Sequence, residues 1–96
     1  MKVEVRLFAY FDRYLPLGAE GKRAILDLPE SAKAETVVKQ LGIPEDEGDY
    51  MPYVLLVNGV QTRSHVRLND GDIISIFPPL AGGKKVLDIE FILSYL

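Results

Sequence analysis

Cysteine is absent from this 96-residue chain, and histidine occurs once, as His65. Without a thiol there is no disulfide framework, no cysteine nucleophile, no iron–sulfur cluster and no cysteine-ligated zinc. A single imidazole excludes an HExxH pair, and a Ser–His–Asp arrangement would have to rest on that one residue in a turn-like stretch. Basic residues are too few and too scattered for a phosphate-tracking surface: 11 Lys and Arg stand against 14 Asp and Glu, for a net charge of −3. No nucleic-acid partner is expected. No apolar run reaches membrane-spanning length, and Met1-Lys2-Val3-Glu4-Val5-Arg6 breaks with charges what a secretory leader needs unbroken. The expected setting is the cytoplasm, with no membrane partner.

What remains is the balance of an ordinary globular domain, 48% apolar and 26% charged, with room for one core. Val3, Val5 and Leu7 alternate with Glu4, Arg6 and Phe8, which predicts a first strand over residues 2–8 with one face buried. A loop is expected over residues 9–21, broken by Pro16, Gly18 and Gly21, with Tyr10, Phe11, Tyr14 and Leu15 tucked against the core. Residues 23–28 read as a second strand, stopped by Pro29 and paired antiparallel with the first. Ser31 is a helix-start signal, and Val37, Val38 and Leu41 recur at helical spacing before Gly42 and Pro44. A helix over residues 34–41 follows, with Lys33, Lys39 and Gln40 in water.

The acidic stretch Glu45-Asp46-Glu47-Gly48-Asp49 lacks the order of a calcium loop and reads as solvated. Residues 53–57 form a nearly continuous apolar run, the signature of a central strand covered on both faces. Asn58-Gly59 then makes a tight turn. After a polar stretch over 61–64, residues 65–68 form a short strand or turn. Asn69-Asp70-Gly71-Asp72 is a turn, followed by a last strand over 73–77. The order predicts an α+β fold, a mixed sheet of four to five strands packed on one main helix.

Candidate chemistry is sparse. Asp70 and Asp72 could form a carboxylate pair, but their Asn-Asp-Gly-Asp context makes them turn formers. His65 reads as a surface or partner-contact residue. Gly82-Gly83-Lys84 fails as a phosphate loop, because Pro78 and Lys85 occupy the positions that need Gly and Ser or Thr. No catalytic residue, metal ligand or stably bound cofactor is expected.

The run Leu68-Asn69-Asp70-Gly71-Asp72-Ile73-Ile74-Ser75-Ile76-Phe77-Pro78-Pro79-Leu80-Ala81-Gly82-Gly83 resembles the C-terminal signature of the MoaD family, the small subunit of molybdopterin synthase, and is similar to ThiS of thiamin synthesis. The resemblance implies a ubiquitin-like β-grasp domain over residues 1–83. It also implies a sulfur carrier, not an enzyme. Gly83 would be adenylated by an E1-like enzyme (MoeB/ThiF-like) that uses ATP, then converted to a thiocarboxylate that donates sulfur for molybdopterin or a tungsten equivalent. A MoaE-like large subunit would be the acceptor partner. A ThiS-like carrier for another sulfur pathway is the alternative, and a β-grasp interaction module with a sealed Gly-Gly is a further one.

The tail suits that chemistry on physical grounds. Gly82 and Gly83 lack Cβ atoms and can thread a narrow channel. Pro78 and Pro79 cannot continue a ladder and stiffen the stalk, so that Pro78, Pro79, Leu80, Ala81 and Gly82 would thread the partner's active site. Residues 78–83 reach about 20 Å when extended. Phe77 and Leu80 are the expected partner contacts, with the exposed side of Val57 as a further candidate for the same patch.

The chain departs from the family pattern by continuing past Gly83, as Lys84-Lys85-Val86-Leu87-Asp88-Ile89-Glu90-Phe91-Ile92-Leu93-Ser94-Tyr95-Leu96. Leu87, Ile89, Phe91, Leu93 and Tyr95 alternate as in a strand, while Leu87, Phe91 and Tyr95 also suit a helix. Residues 84–96 are read in three ways: a propeptide removed by a processing protease, a permanent extra element, or a strand paired between chains in a homo-oligomer.

Overall fold

In the computed structural model, residues 1–44 and 53–78 are described. The alternation at the N-terminus produces β1 (Lys2–Leu7), whose Val3, Val5 and Leu7 are buried on one face. Its antiparallel partner is β2 (Arg23–Asp27), in the register Val3↔Leu26 and Val5↔Ala24. These apolar positions therefore share a face.

The connection between them is more ordered than the expected loop. Residues Ala9–Tyr14 form a 3-10 helix, in which side chains three apart eclipse one another. Phe11 and Tyr14 thus point the same way: Phe11 is buried and Tyr14 packs on the core, their rings 5.6 Å apart edge to face. Leu15 also packs there. Tyr10 does not, contrary to expectation. Its ring meets that of Phe11 edge to face at 5.4 Å but stays 52% exposed, with Arg13 one turn on lying over it at 5.4 Å.

The helix α1 spans Ala34–Leu41, as its periodicity predicted. Its start is not capped by Ser31. The Ala34 and Glu35 N–H groups donate to the carbonyls of Val66 (2.9 Å) and Ser64 (2.7 Å), and Thr36 Oγ1 accepts from the Lys33 N–H at 3.0 Å. Donors left open by helix geometry are thus satisfied by a distant backbone segment. At the other end Gly42 takes φ of 78°, its N–H bonding Lys39 O and that of Ile43 bonding Val38 O. This is a Schellman closure, with Ile43 buried behind it.

β3 (Val54–Val57) is buried on both faces, as its continuous apolar run implied. Asn58 and Gly59 have φ of 52° and 83°, the two positive values that a type I′ hairpin requires. The chain therefore returns at once as β4 (Val60–Thr62), and the short fourth strand lies here and not over 65–68. Within that later segment Arg67 makes an isolated bridge to Lys33 beside the helix start.

β5 (Ile73–Phe77) inserts between β1 and β3, parallel to the first and antiparallel to the second. The sheet order is β2-β1-β5-β3-β4, a mixed sheet with one helix, which is the β-grasp arrangement. Ala34, Val37 and Val38 of α1 share one core with Val3, Val5, Leu7, Leu55, Ile74 and Ile76. Each of these Val, Leu and Ile side chains contributes about 1.5–3 kcal/mol when fully buried. Among the described residues no helix is long and apolar enough to cross a membrane.

Candidate functional site: the end of the central strand

The first end of β5 is held by a set of short turn contacts. Asp72 accepts from the Asn69 N–H through Oδ2 (2.7 Å) and from Asn58 Nδ2 through Oδ1 (2.9 Å), while Asn58 Oδ1 accepts from the Ile73 N–H at 2.9 Å. Asp70 Oδ1 takes the Lys2 N–H at 2.7 Å, and the Gly71 N–H donates to Lys2 O at 2.7 Å. Both aspartates are therefore turn formers, as their context implied. They fix the register of the strand that carries the tail. Nothing in the local spacing of Asn58 announced this second role, since the Asn-Gly turn already accounted for it.

The far end of β5 is defined by Pro78, which has no N–H to offer a neighbouring strand. Alternation along β5 sends Ile74 and Ile76 toward α1, and Ser75 and Phe77 toward the opposite face. There Phe77 stacks on Phe8 with ring centroids 4.3 Å apart and planes within 5°. Val54 and Leu56 complete this second cluster. Phe8, expected within the first strand, lies just beyond it, and its N–H donates to Ile76 O at 3.2 Å. Pro78 is buried beside Phe77.

Phe77 thus belongs to a packed cluster of its own chain, with 5% of its surface exposed. Val57 is partly buried and packs on the helix-side core instead. His65 is exposed. Among the described residues no group of acidic or histidine side chains could hold a metal ion. A shallow depression of about 360 Å³ borders β2 near Leu17, Glu20 and Arg23 and takes no residue from β5. Pro79, Leu80, Ala81, Gly82, Gly83 and the extension over 84–96 lie outside the described residues.

Comparison with known proteins turns on where this strand leads. The profile of the ThiS family matches residues 5–83, from β1 through the second glycine. The chain belongs to the ThiS family. A ThiS-family protein is a small ubiquitin-like sulfur carrier, not a catalyst, and the match ends at Gly83, leaving residues 84–96 beyond it. Solved structures agree on the fold. SAMP1 from Haloferax volcanii superposes with a TM-score of 0.66 at 19% identity, over 86% of this chain and 100% of that one. A putative molybdopterin converting factor subunit 1 from Pyrococcus furiosus gives 0.63 at 26% identity, over 82% and 98%. A chain from the complex of subunits 1 and 2 of molybdopterin-converting factor from Helicobacter pylori gives 0.52 at 22% identity, over 86% and 100%. No curated protein matches the chain.

Proposed function

We propose that this ThiS-family protein, once it ends at Gly83, carries sulfur as a C-terminal thiocarboxylate for assembly of molybdopterin or its tungsten equivalent. The observation that carries the reading is the family match extending to Gly83, past the end of the central strand at Phe77. An E1-like enzyme would present ATP, the Gly83 carboxylate would attack the α-phosphorus, and pyrophosphate would leave. A hydrosulfide-level nucleophile then adds at the acyl carbon, and AMP departs. Pro78 to Gly82 would lie in the partner's channel, with Leu80 contacting its walls, while Phe77, buried in a cluster of its own chain, anchors the root of the tail.

The chemistry asks little of the carrier's side chains. A thiocarboxylate holds sulfur on the backbone carbonyl, so the lack of cysteine is no obstacle. What the fold supplies is a fixed base: the turn contacts at one end of β5 and the stacked Phe8–Phe77 pair at the other hold the stalk's root in place. A large subunit resembling the second component of the converting factor would accept the sulfur, and a protease would cut between Gly83 and Lys84.

Intact mass of the protein from its native cell tests this. The expected species ends at Gly83, and a fraction is heavier by the difference between sulfur and oxygen. Only full-length chain ending at Leu96, while pterin cofactor is being made, would overturn it. The family match itself favours a second reading, a carrier for another sulfur pathway. Deleting the gene and scoring pterin cofactor against other sulfur-containing cofactors separates the two.

A further inference from the structure

Asn58 is followed by Gly59, and the chain's other asparagine, Asn69, by Asp70. An asparagine carboxamide is open to attack by the backbone nitrogen of the next residue, and where that residue is glycine no Cβ stands in the way. Asn58 and Gly59 are both exposed, and a Cβ built on Gly59 would meet nothing within 4 Å, so water reaches the site from the open side. Among the described residues no hydrogen bond occupies the Gly59 N–H. The reagents for cyclisation are in place, and only the geometry is withheld.

Three hydrogen bonds withhold it. The Asn58 N–H donates to Ile73 O at 2.8 Å, the Ile73 N–H donates in return to Asn58 Oδ1 at 2.9 Å, and Asn58 Nδ2 donates to Asp72 Oδ1 at 2.9 Å. The backbone adds a further restraint. Attack on Cγ requires the Asn58–Gly59 peptide to rotate out of the left-handed turn at φ of 52° and 83°, and the Val57↔Val60 pair closes that turn. Freeing the carboxamide therefore means releasing the end of β3 from the start of β5.

We propose that Asn58 is a deamidation site held shut by the clasp between β3 and β5, and modified in molecules whose clasp has opened. In the open form the Gly59 nitrogen gives up its proton and bonds to Asn58 Cγ, ammonia leaves, and a succinimide ring closes. Water then adds to one of the two ring carbonyls: cleavage on one side leaves aspartate, and on the other isoaspartate. Water is the only co-reactant. Neither product restores all three bonds. A carboxylate at position 58 has no N–H for Asp72 Oδ1 and sets like charges at hydrogen-bonding distance. Isoaspartate also adds a methylene to the main chain of a loop that two residues fill. Opening is thereby recorded covalently at the start of the strand that carries the tail, independently of any sulfur chemistry.

Peptide mass mapping of the full-length chain, aged in mildly alkaline buffer, tests the site. The peptide carrying Asn58 should gain the mass difference between a hydroxyl and an amino group, with isoaspartate identified by electron-transfer fragmentation. Asn69, whose following residue has a side chain to hinder attack, is the internal control and should lag behind it in the denatured chain. In the folded protein the rate at Asn58 should be at least about tenfold below that in strong denaturant, because modification is limited by the small open population. Asp72→Ala removes one bond of the clasp and should raise the folded-state rate severalfold while the circular dichroism stays native. The purified deamidated protein should exchange its Ile73 amide faster and melt lower than the unmodified chain. A folded-state rate equal to the denatured one overturns the proposal. So does a folded Asp72→Ala variant with an unchanged rate, or a deamidated protein whose Ile73 amide stays as protected as before. If Asp72→Ala does not fold, a denaturant series on the unmodified chain decides alone: the rate must climb with exchange of the Ile73 amide, and a rate that ignores it sinks the clasp. None of these readouts involves Gly83, so the deamidation site and the carrier reading fail or stand separately.

Discussion

The Asn58 carboxamide joins the two turns that flank β3 and β5, donating from Nδ2 to Asp72 Oδ1 and accepting from the Ile73 N–H through Oδ1, each at 2.9 Å. One side chain thereby ties the hairpin at the end of β3 to the start of the strand that carries the tail.

Replacing Asn58 tests that link. Asn58→Ala removes both bonds and puts alanine at a φ of 52°, so it should lower stability by about 1–3 kcal/mol in urea denaturation. Asn58→Gly relieves the backbone and should recover part of the loss. In a double-mutant cycle with Asp72→Ala, the two sites should couple by roughly 0.5 kcal/mol or more.

The stacked aromatic pair should matter more. Phe77→Ala opens a cavity in the second cluster and should cost about 3–5 kcal/mol, whereas Phe77→Leu should cost less than about 1.5 kcal/mol. A cycle with Phe8→Ala should return a coupling of about 0.5–1.5 kcal/mol for the ring contact at 4.3 Å.

Gly42 offers a cleaner backbone test. A Cβ added there would meet nothing within 4 Å, so Gly42→Ala changes only the strain at φ of 78°. A loss of about 1 kcal/mol in thermal or chemical unfolding is expected, with the helix still present by circular dichroism.

The tail is tested apart from the fold. In a chain ending at Gly83, Gly82→Val should cut ATP–pyrophosphate exchange by an E1-like enzyme by about 100-fold, because a β-branched side chain misplaces the acyl carbon in a narrow channel. The melting temperature should not move. A parallel fall in both would assign the effect to folding instead.

Much of this molecule was legible locally. The bounds of α1 followed from Val37, Val38 and Leu41 at helical spacing and from Gly42, because propensity and capping act within one turn. Asn58-Gly59 announced a tight turn, and the nearly unbroken 53–57 run announced a strand covered on both sides. The 3-10 helix over Ala9–Tyr14 was not legible, since a six-residue segment rich in aromatics carries no periodicity that separates it from a packed loop. Nor was β4, because Val60-Gln61-Thr62 is too short and polar to signal a strand, and only the return forced by the turn pairs it with β3.

The candidate site divides the same way. The amino-acid sequence by itself determined β1, β2, α1, β3 and β5 to within a residue or so, the turn before β5, the strand stop at Pro78 and the family tail to Gly83, all of which are written within a few consecutive residues. Only the tertiary structure placed β5 parallel to β1, fed Ser64 and Val66 carbonyls to the start of α1, and set Phe8 against Phe77. These contacts join segments tens of residues apart. No local pattern encodes them, because which face of a strand meets which partner is settled when the sheet and its covering layers pack together.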